Sequence, residues 1–180
     1  MKRVANFEKI SYDEFYKSFQ GMDPQDVWRM YDNIKLPKRA TSGSAGYDFY
    51  MPFNKVLEFG ESYIIPTGIR CRINDGWDLE IHPRSGLGFK YYCRLANTTG
   101  IIDSDYYKAD NEGHIMVKIR NEGDQTFTLT EGDAFCQGIF HEYGITDFDD
   151  ASGERTGGFG STDKPEEAND NESNNDQTTK

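Results

Sequence analysis

A chain of 180 residues, 36% hydrophobic and 14% aromatic, is long enough for one globular core with length to spare. Its net charge of −11 argues against stable nucleic-acid binding, which leaves a basic footprint; a polyphosphate partner would need locally gathered positive groups or a bridging cation. No apolar run approaches the ~20 residues of a membrane span, and the basic Met1-Lys2-Arg3 start lacks the apolar core of a signal peptide.

In chain order, residues 1–35 read as a helical extension. Ser11 and Glu14 form an S-x-x-E capping box, and Tyr12, Phe15, Tyr16 and Phe19 follow at helical spacing. Asp23-Pro24 opens a second helix, with Asp as N-cap and Pro at the first helical position, and Val27, Tyr31 and Ile34 form its apolar stripe beside Trp28. These aromatics are expected to pack on the main domain as an accessory whose removal spares activity. From Leu36-Pro37 the texture changes to short strands over 45–51, 61–73, 76–82, 91–96, 113–120, 125–130 and 133–140. Turn signals such as Asn74-Asp75-Gly76 and Glu131-Gly132-Asp133 separate them. With no helical stretches between, they predict an antiparallel sandwich or barrel over 36–144. Residues 145–164 lose apolar periodicity and read as a mobile arm. Residues 165–180 are almost wholly polar and read as a disordered acidic tail. The three cysteines, Cys71, Cys93 and Cys136, have no C-x-x-C pair and are expected as buried reduced thiols in a cytoplasmic protein.

Three segments could carry chemistry. Pro83-Arg84-Ser85-Gly86 follows an apolar strand; its fork of donors, hydroxyl and flexible glycine could grip phosphate, although taken alone it is better read as an ordinary turn with a surface Arg. Ile101-Ile102-Asp103-Ser104-Asp105-Tyr106 sets two carboxylates beside an apolar pair, suited to general-base work or to holding a cation through water, or else to a turn in which Asp bonds local amides. Gly157-Gly158-Phe159-Gly160-Ser161-Thr162 could wrap an anion, but it lacks the lysine of a Walker A loop. Phe159 argues against a plain linker there, because an aromatic can stack on a base. His82, His114 and His141 show no metal-ligand spacing, and no G-x-S-x-G elbow surrounds Ser85.

Taken in order, these segments resemble the five motifs of the trimeric dUTPase family. They are Ala45-Gly46-Tyr47-Asp48-Phe49, Pro83 to Lys90, Asn97 to Tyr106, Gly132 to Gln137 and Arg155 to Thr162, spanning about residues 36–162. The resemblance implies an all-β distorted jelly-roll barrel and a homotrimer with shared active sites. It implies hydrolysis of dUTP to dUMP and pyrophosphate, which limits uracil in DNA and supplies dUMP for thymidylate synthesis. Asp103 would activate the water that attacks the α-phosphorus. Tyr106 would lie under the deoxyribose and exclude a 2′-hydroxyl. Asn97 and the backbone at Gly100, Ile101 and Ile102 would read uracil. Arg84, Ser85, Gly86 and Gln137 would hold the phosphates. Arg155, Gly160, Ser161 and Thr162 would close over the γ-phosphate, with Phe159 stacked on uracil. Asp48 would hold Mg2+ through water.

Two departures stand out: six residues, Tyr107 to Glu112, separate Tyr106 from Gly113 where the family has one, and residues 1–35 lie outside the family pattern. A dCTP deaminase of the same fold is the nearest alternative, since Gly113-His114-Ile115 echoes its sequence, but Lys118 stands where its catalytic Glu belongs. A non-catalytic nucleotide-sensing regulator is the other. The sequence points to no regulatory partner, and the helical front would be its natural seat.

Overall fold

The alternation that predicted strands governs the fold, which a computed structural model describes for residues 1–153 with Arg155 and Gly157. On β10 (Met116–Asn121), Val117, Ile119 and Asn121 are buried while Lys118 and Arg120 are exposed, the period of two that puts one face of a strand on a core. β7 (Trp77–Pro83) behaves alike, with Leu79 and Ile81 buried. The other strands are β1 (Ala5–Lys9), β2 (Lys38–Arg39), β3 (Tyr47–Tyr50), β4 (Lys55–Leu57), β5 (Ser62–Pro66), β6 (Ile69–Ile73), β8 (Cys93–Leu95), β9 (Gly100–Ile102), β11 (Phe127–Leu129) and β12 (Ala134–Glu142).

All ladders are antiparallel. They form a five-stranded sheet in the order β2-β3-β12-β7-β9, a three-stranded sheet β5-β10-β8, and the pairs β1-β6 and β11-β4. Among the described residues these sheets do not close into a barrel; the protein is a mostly-strand fold whose sheets share one core, with Phe49, Leu57, Ile65, Leu79 and Phe135 at its centre. Gly138 on β12 is part of that packing, since a Cβ there would come within 2.8 Å of Leu79 Cδ1. No helix of the described residues is long and apolar enough to cross a membrane.

Three expectations are corrected. Residues 1–35 are not helical throughout: β1 pairs with β6, and only α1 (Tyr12–Tyr16), the 3-10 turn Lys17–Phe19 and α2 (Pro24–Asp32) are helical. The caps are as expected, Ser11 accepting from the Glu14 amide and Asp23 from the Gln25 amide. The segment packs on the main fold as expected, with Ile10, Phe15 and Val27 at most 1% exposed within the common core. The expected strand 61–73 is split at Thr67-Gly68. Gly68 has φ +70, and a Cβ there would overlap Ile34 Cδ1 from the N-terminal segment. Between β7 and β8 the chain forms a helix, α3 (Ser85–Tyr91), where a turn was expected. Its Gly86 and Gly88 favour neither state in the sequence, and α3 ends at Tyr92 in the left-handed region with φ 51. The three cysteines are free and buried, and burial pushes the Cys71 thiol up to about 12 and the Cys93 thiol to about 11. The expected tail 165–180 lies outside the described residues.

Candidate active site

The residues expected to grip phosphate gather where β7 runs into α3. Arg84 is the extended residue before the helix; its Nε lies 3.2 Å from Asp48 Oδ1 and its Nη1 donates to the Ala134 carbonyl at 3.3 Å. Asp48 on β3 stands opposite Gln137 on β12, and Gln137 Nε2 donates to the Pro83 carbonyl at 3.3 Å. A Cβ at Gly46 would overlap Gln137 Oε1, so a side chain there would have to displace the Gln137 amide. Ser85 and Gly86 open α3 beside it, and Arg84, Ser85, Phe89, Arg94 and Thr98 line a cavity of about 600 Å³. The corner thus holds a guanidinium, a hydroxyl and a carboxylate. Asp48 offers a hard oxygen donor next to a phosphate grip, the chemistry Mg2+ takes together with water and phosphate oxygens.

The second group lies on β9, which pairs with β7 so that Gly100 faces Ile81 and Ile102 faces Leu79. A Cβ at Gly100 would meet Ile81 Cβ at 3.5 Å, an ordinary packing distance. Asn97, Gly100, Ile101, Ile102, Met116 and Lys118 are among the residues lining a cavity of about 540 Å³, and no carboxylate lines it among the described residues.

Asp103 follows β9 directly and keeps extended backbone (φ −76, ψ 160) before the 3-10 turn Ser104–Lys108. Tyr106 in that turn is 7% exposed. Its hydroxyl donates to the His114 carbonyl at 2.8 Å and accepts from Asn111 Nδ2 at 2.8 Å, and burial raises its phenol pKa. Both ring position and hydroxyl are therefore fixed. Arg155 folds onto this turn rather than onto the Arg84 corner. Its guanidinium pairs with Asp103, its Nε donates to Asp105 Oδ1 at 2.9 Å, and its centre lies 5.8 Å from the Tyr106 ring centroid. Phe159, Gly160, Ser161 and Thr162 lie outside the described residues.

One chain does not bring these groups to a single point. Asp103 continues β9 to a position beside Asp78, whereas Arg84 leaves the far end of β7. Six residues of strand at about 3.3 Å each put roughly 20 Å between them, more than a triphosphate spans. Sequence reasoning missed the supports of Tyr106, Asn111 and the buried His114, because they sit in the added loop and after it. The polar Asn111 and the glycine-flanked His114 carried no local signal of burial.

Comparisons with known proteins point to one family. The sequence model of the dUTPase family matches residues 32–163. A deoxyuridine 5'-triphosphate nucleotidohydrolase of Lactococcus lactis is 39% identical over 132 residues, covering 72% of this chain and 88% of the relative. The crystal structure of a dUTPase from Streptococcus mutans is similar with a TM-score of 0.62 and 32% identity, over 78% of this chain and 98% of that one. A dUTPase from phage phi11 of S. aureus, described as coordinating a structural Mg(II) ion, shares the fold with a TM-score of 0.60 at 18% identity, over 84% of this chain and 98% of that one.

Proposed function

The chain belongs to the dUTPase family and hydrolyses dUTP to dUMP and pyrophosphate, and we propose that Asp103 is the general base of that reaction. The observation that carries the assignment is the placement of Asp103 at the end of β9, between the cavity lined by Asn97 and Gly100 to Ile102 and the fixed ring of Tyr106. Asp103 takes a proton from water as the water oxygen bonds to the α-phosphorus, and the bond from that phosphorus to the bridging oxygen breaks, releasing pyrophosphate. Arg84, Ser85, Gly86 and Gln137 hold the phosphates, Arg84 through its planar fork. Asn97 and the backbone at Gly100, Ile101 and Ile102 read uracil, whose acceptor–donor–acceptor edge leaves cytosine mispaired in a closed site. Tyr106 forms the wall that excludes a 2′-hydroxyl. Arg155, Gly160, Ser161 and Thr162 close over the γ-phosphate and Phe159 stacks on uracil, which removes water from the site.

Asp48 is the residue we assign to Mg2+, which when bound neutralises phosphate charge in a protein of net charge −11. The ~20 Å between Arg84 and Asp103 supports a homotrimer whose copies share each site, on a distorted jelly-roll. Free buried thiols suit a reducing cytoplasmic compartment. Deamination is disfavoured because Lys118, not a carboxylate, lines the cavity beside β9.

The test is pyrophosphate release from dUTP, dCTP, dTTP and UTP in parallel, with and without Mg2+. dUTP should be turned over far faster than the others, and only with the metal; equal rates on dTTP or UTP refute the assignment of Tyr106 and the β9 backbone. Asp103→Asn should abolish turnover while dUTP binding, read by calorimetry, is largely kept.

A further inference from the structure

A cluster of metal-ligating side chains lies on the outer face of the five-stranded sheet, at the end of β7 that neighbours Asp103 but built from none of the residues assigned above. Leu79 and Ile81 of β7 point into the core, so Asp78, Glu80 and His82 point the other way. Antiparallel β12 places His141 opposite Asp78, which brings an imidazole over two carboxylates. His141 Nδ1 lies 3.8 Å from Asp78 Oδ1 and 3.7 Å from Glu80 Oε1, and one ligand atom from each residue falls within 4.8 Å of the others. The second Glu80 oxygen is 3.2 Å from His82 Nε2. The Asp78 side chain is 14% exposed, and its Oδ1 is buried with no hydrogen-bond partner among the described residues.

We propose that Asp78, Glu80 and His141 bind one divalent cation of the Zn2+ type, with His82 orienting Glu80 from behind. The donor set selects the ion. One imidazole with two carboxylates suits Zn2+ or Co2+, whereas Mg2+ and Ca2+ prefer oxygen alone. The spacing fits as well: a tetrahedral centre with arms of about 2.0–2.1 Å holds its ligand atoms about 3.3 Å apart. The observed 3.7 and 3.8 Å close to that by a few tenths of an ångström, within reach of an imidazole whose side chain is 44% exposed. A cation also relieves two problems. It gives the orphaned Asp78 oxygen a partner, and it neutralises two adjacent carboxylates that among the described residues are ion-paired only with His82 and His141. Glu80 held by a second histidine matches the outer support that metal-bound carboxylates receive. Three protein ligands leave a fourth position for water. The site is separate from Asp48, which lies with Arg84 at the other end of β7.

The test uses the full chain, stripped with a chelator and titrated with Co2+ while visible absorption is recorded. Saturable ligand-field bands are expected that Zn2+ displaces and excess Mg2+ does not. No thiolate charge-transfer band should appear, since Cys71, Cys93 and Cys136 are buried. His141→Ala and Asp78→Asn, checked for folding by circular dichroism, should each weaken Co2+ binding more than about tenfold. The proposal is overturned if the bands persist in His141→Ala, if Mg2+ displaces Co2+, or if binding does not saturate. His141 would then be only a protonatable partner of two carboxylates.

Discussion

At the residue scale, Arg155 and His114 each do something that their immediate neighbours in sequence do not announce. The guanidinium of Arg155 spans Asp103 and Asp105, so it occupies the proposed base, which it would leave in order to close over a γ-phosphate. A lysine is a point charge and cannot bridge both carboxylates. Arg155→Ala should lower kcat/KM for dUTP roughly a hundredfold, the cost of removing a donor aimed at developing charge. Steady-state kinetics decide this, and an unchanged kcat/KM would make Arg155 a mere tether of the arm. His114 is 1% exposed and accepts the Gly68 amide on Nε2 at 3.0 Å, so that nitrogen carries no proton. Burial lowers its pKa to about 4 from the ordinary 6.5. The unfolded chain therefore takes up the proton first on acidification. Stability from this group is complete above pH 6.5 and is lost as pH falls toward 4, about 2 kcal/mol of it by pH 5. Urea unfolding at pH 7.5 and 5 measures the difference, and His114→Gln should flatten it. Asp103 and Tyr106 were legible because their motif is a single run of residues. The Arg155 pairing joins positions 52 apart and was not.

At the element scale, the two departures from the family pattern turn out to be one structure. The loop 107–112 leans on the N-terminal segment: the Tyr107 hydroxyl donates to Glu8 at 2.7 Å, and Glu112 accepts from the Ser11 hydroxyl at 2.6 Å and amide at 2.8 Å. Arg70 of β6 stacks on Tyr107 at 4.5 Å, and from the same loop Asn111 holds the Tyr106 hydroxyl. Residues 1–31 precede the stretch matched by the family, yet they brace the turn that follows Asp103, the proposed general base. Against the expectation that removing this segment spares hydrolysis, the packing predicts a loss. Phe15→Ala should cost about 3–5 kcal/mol in denaturant unfolding, as for a fully buried ring, and removal of residues 1–35 should leave a chain that fails to fold. A truncated chain with the full melting temperature would contradict this. α1 and α2 were legible from caps and periodicity. β1 was not, because Ala5–Lys9 lacks clean alternation and its partner strand lies more than sixty residues away.

At the scale of the whole molecule, register decides how many copies make a site. The motif order identifies the residues, but it cannot say that Asp103 and Arg84 leave opposite ends of one strand; that follows only once Ile102 is paired with Leu79 and β7 is seen to run on to Pro83. A single chain then offers Arg84 at one end and Asp103 beside the β9 cavity at the other, and on the proposed roles both act on one dUTP only if they come from different copies. Cyclic symmetry makes all such composite sites equivalent. The consequence is a complementation experiment. Arg84→Ala and Asp103→Asn should each be inactive alone, because every site lacks one group. After mild unfolding and joint refolding at equal amounts, mixed oligomers should regain about a quarter of wild-type sites, those pairing an intact Arg84 from one copy with an intact Asp103 from another. Pyrophosphate release from dUTP reads the recovery directly. If each chain built its whole site from its own residues, refolding the two variants together would restore nothing, because no site could then hold both groups.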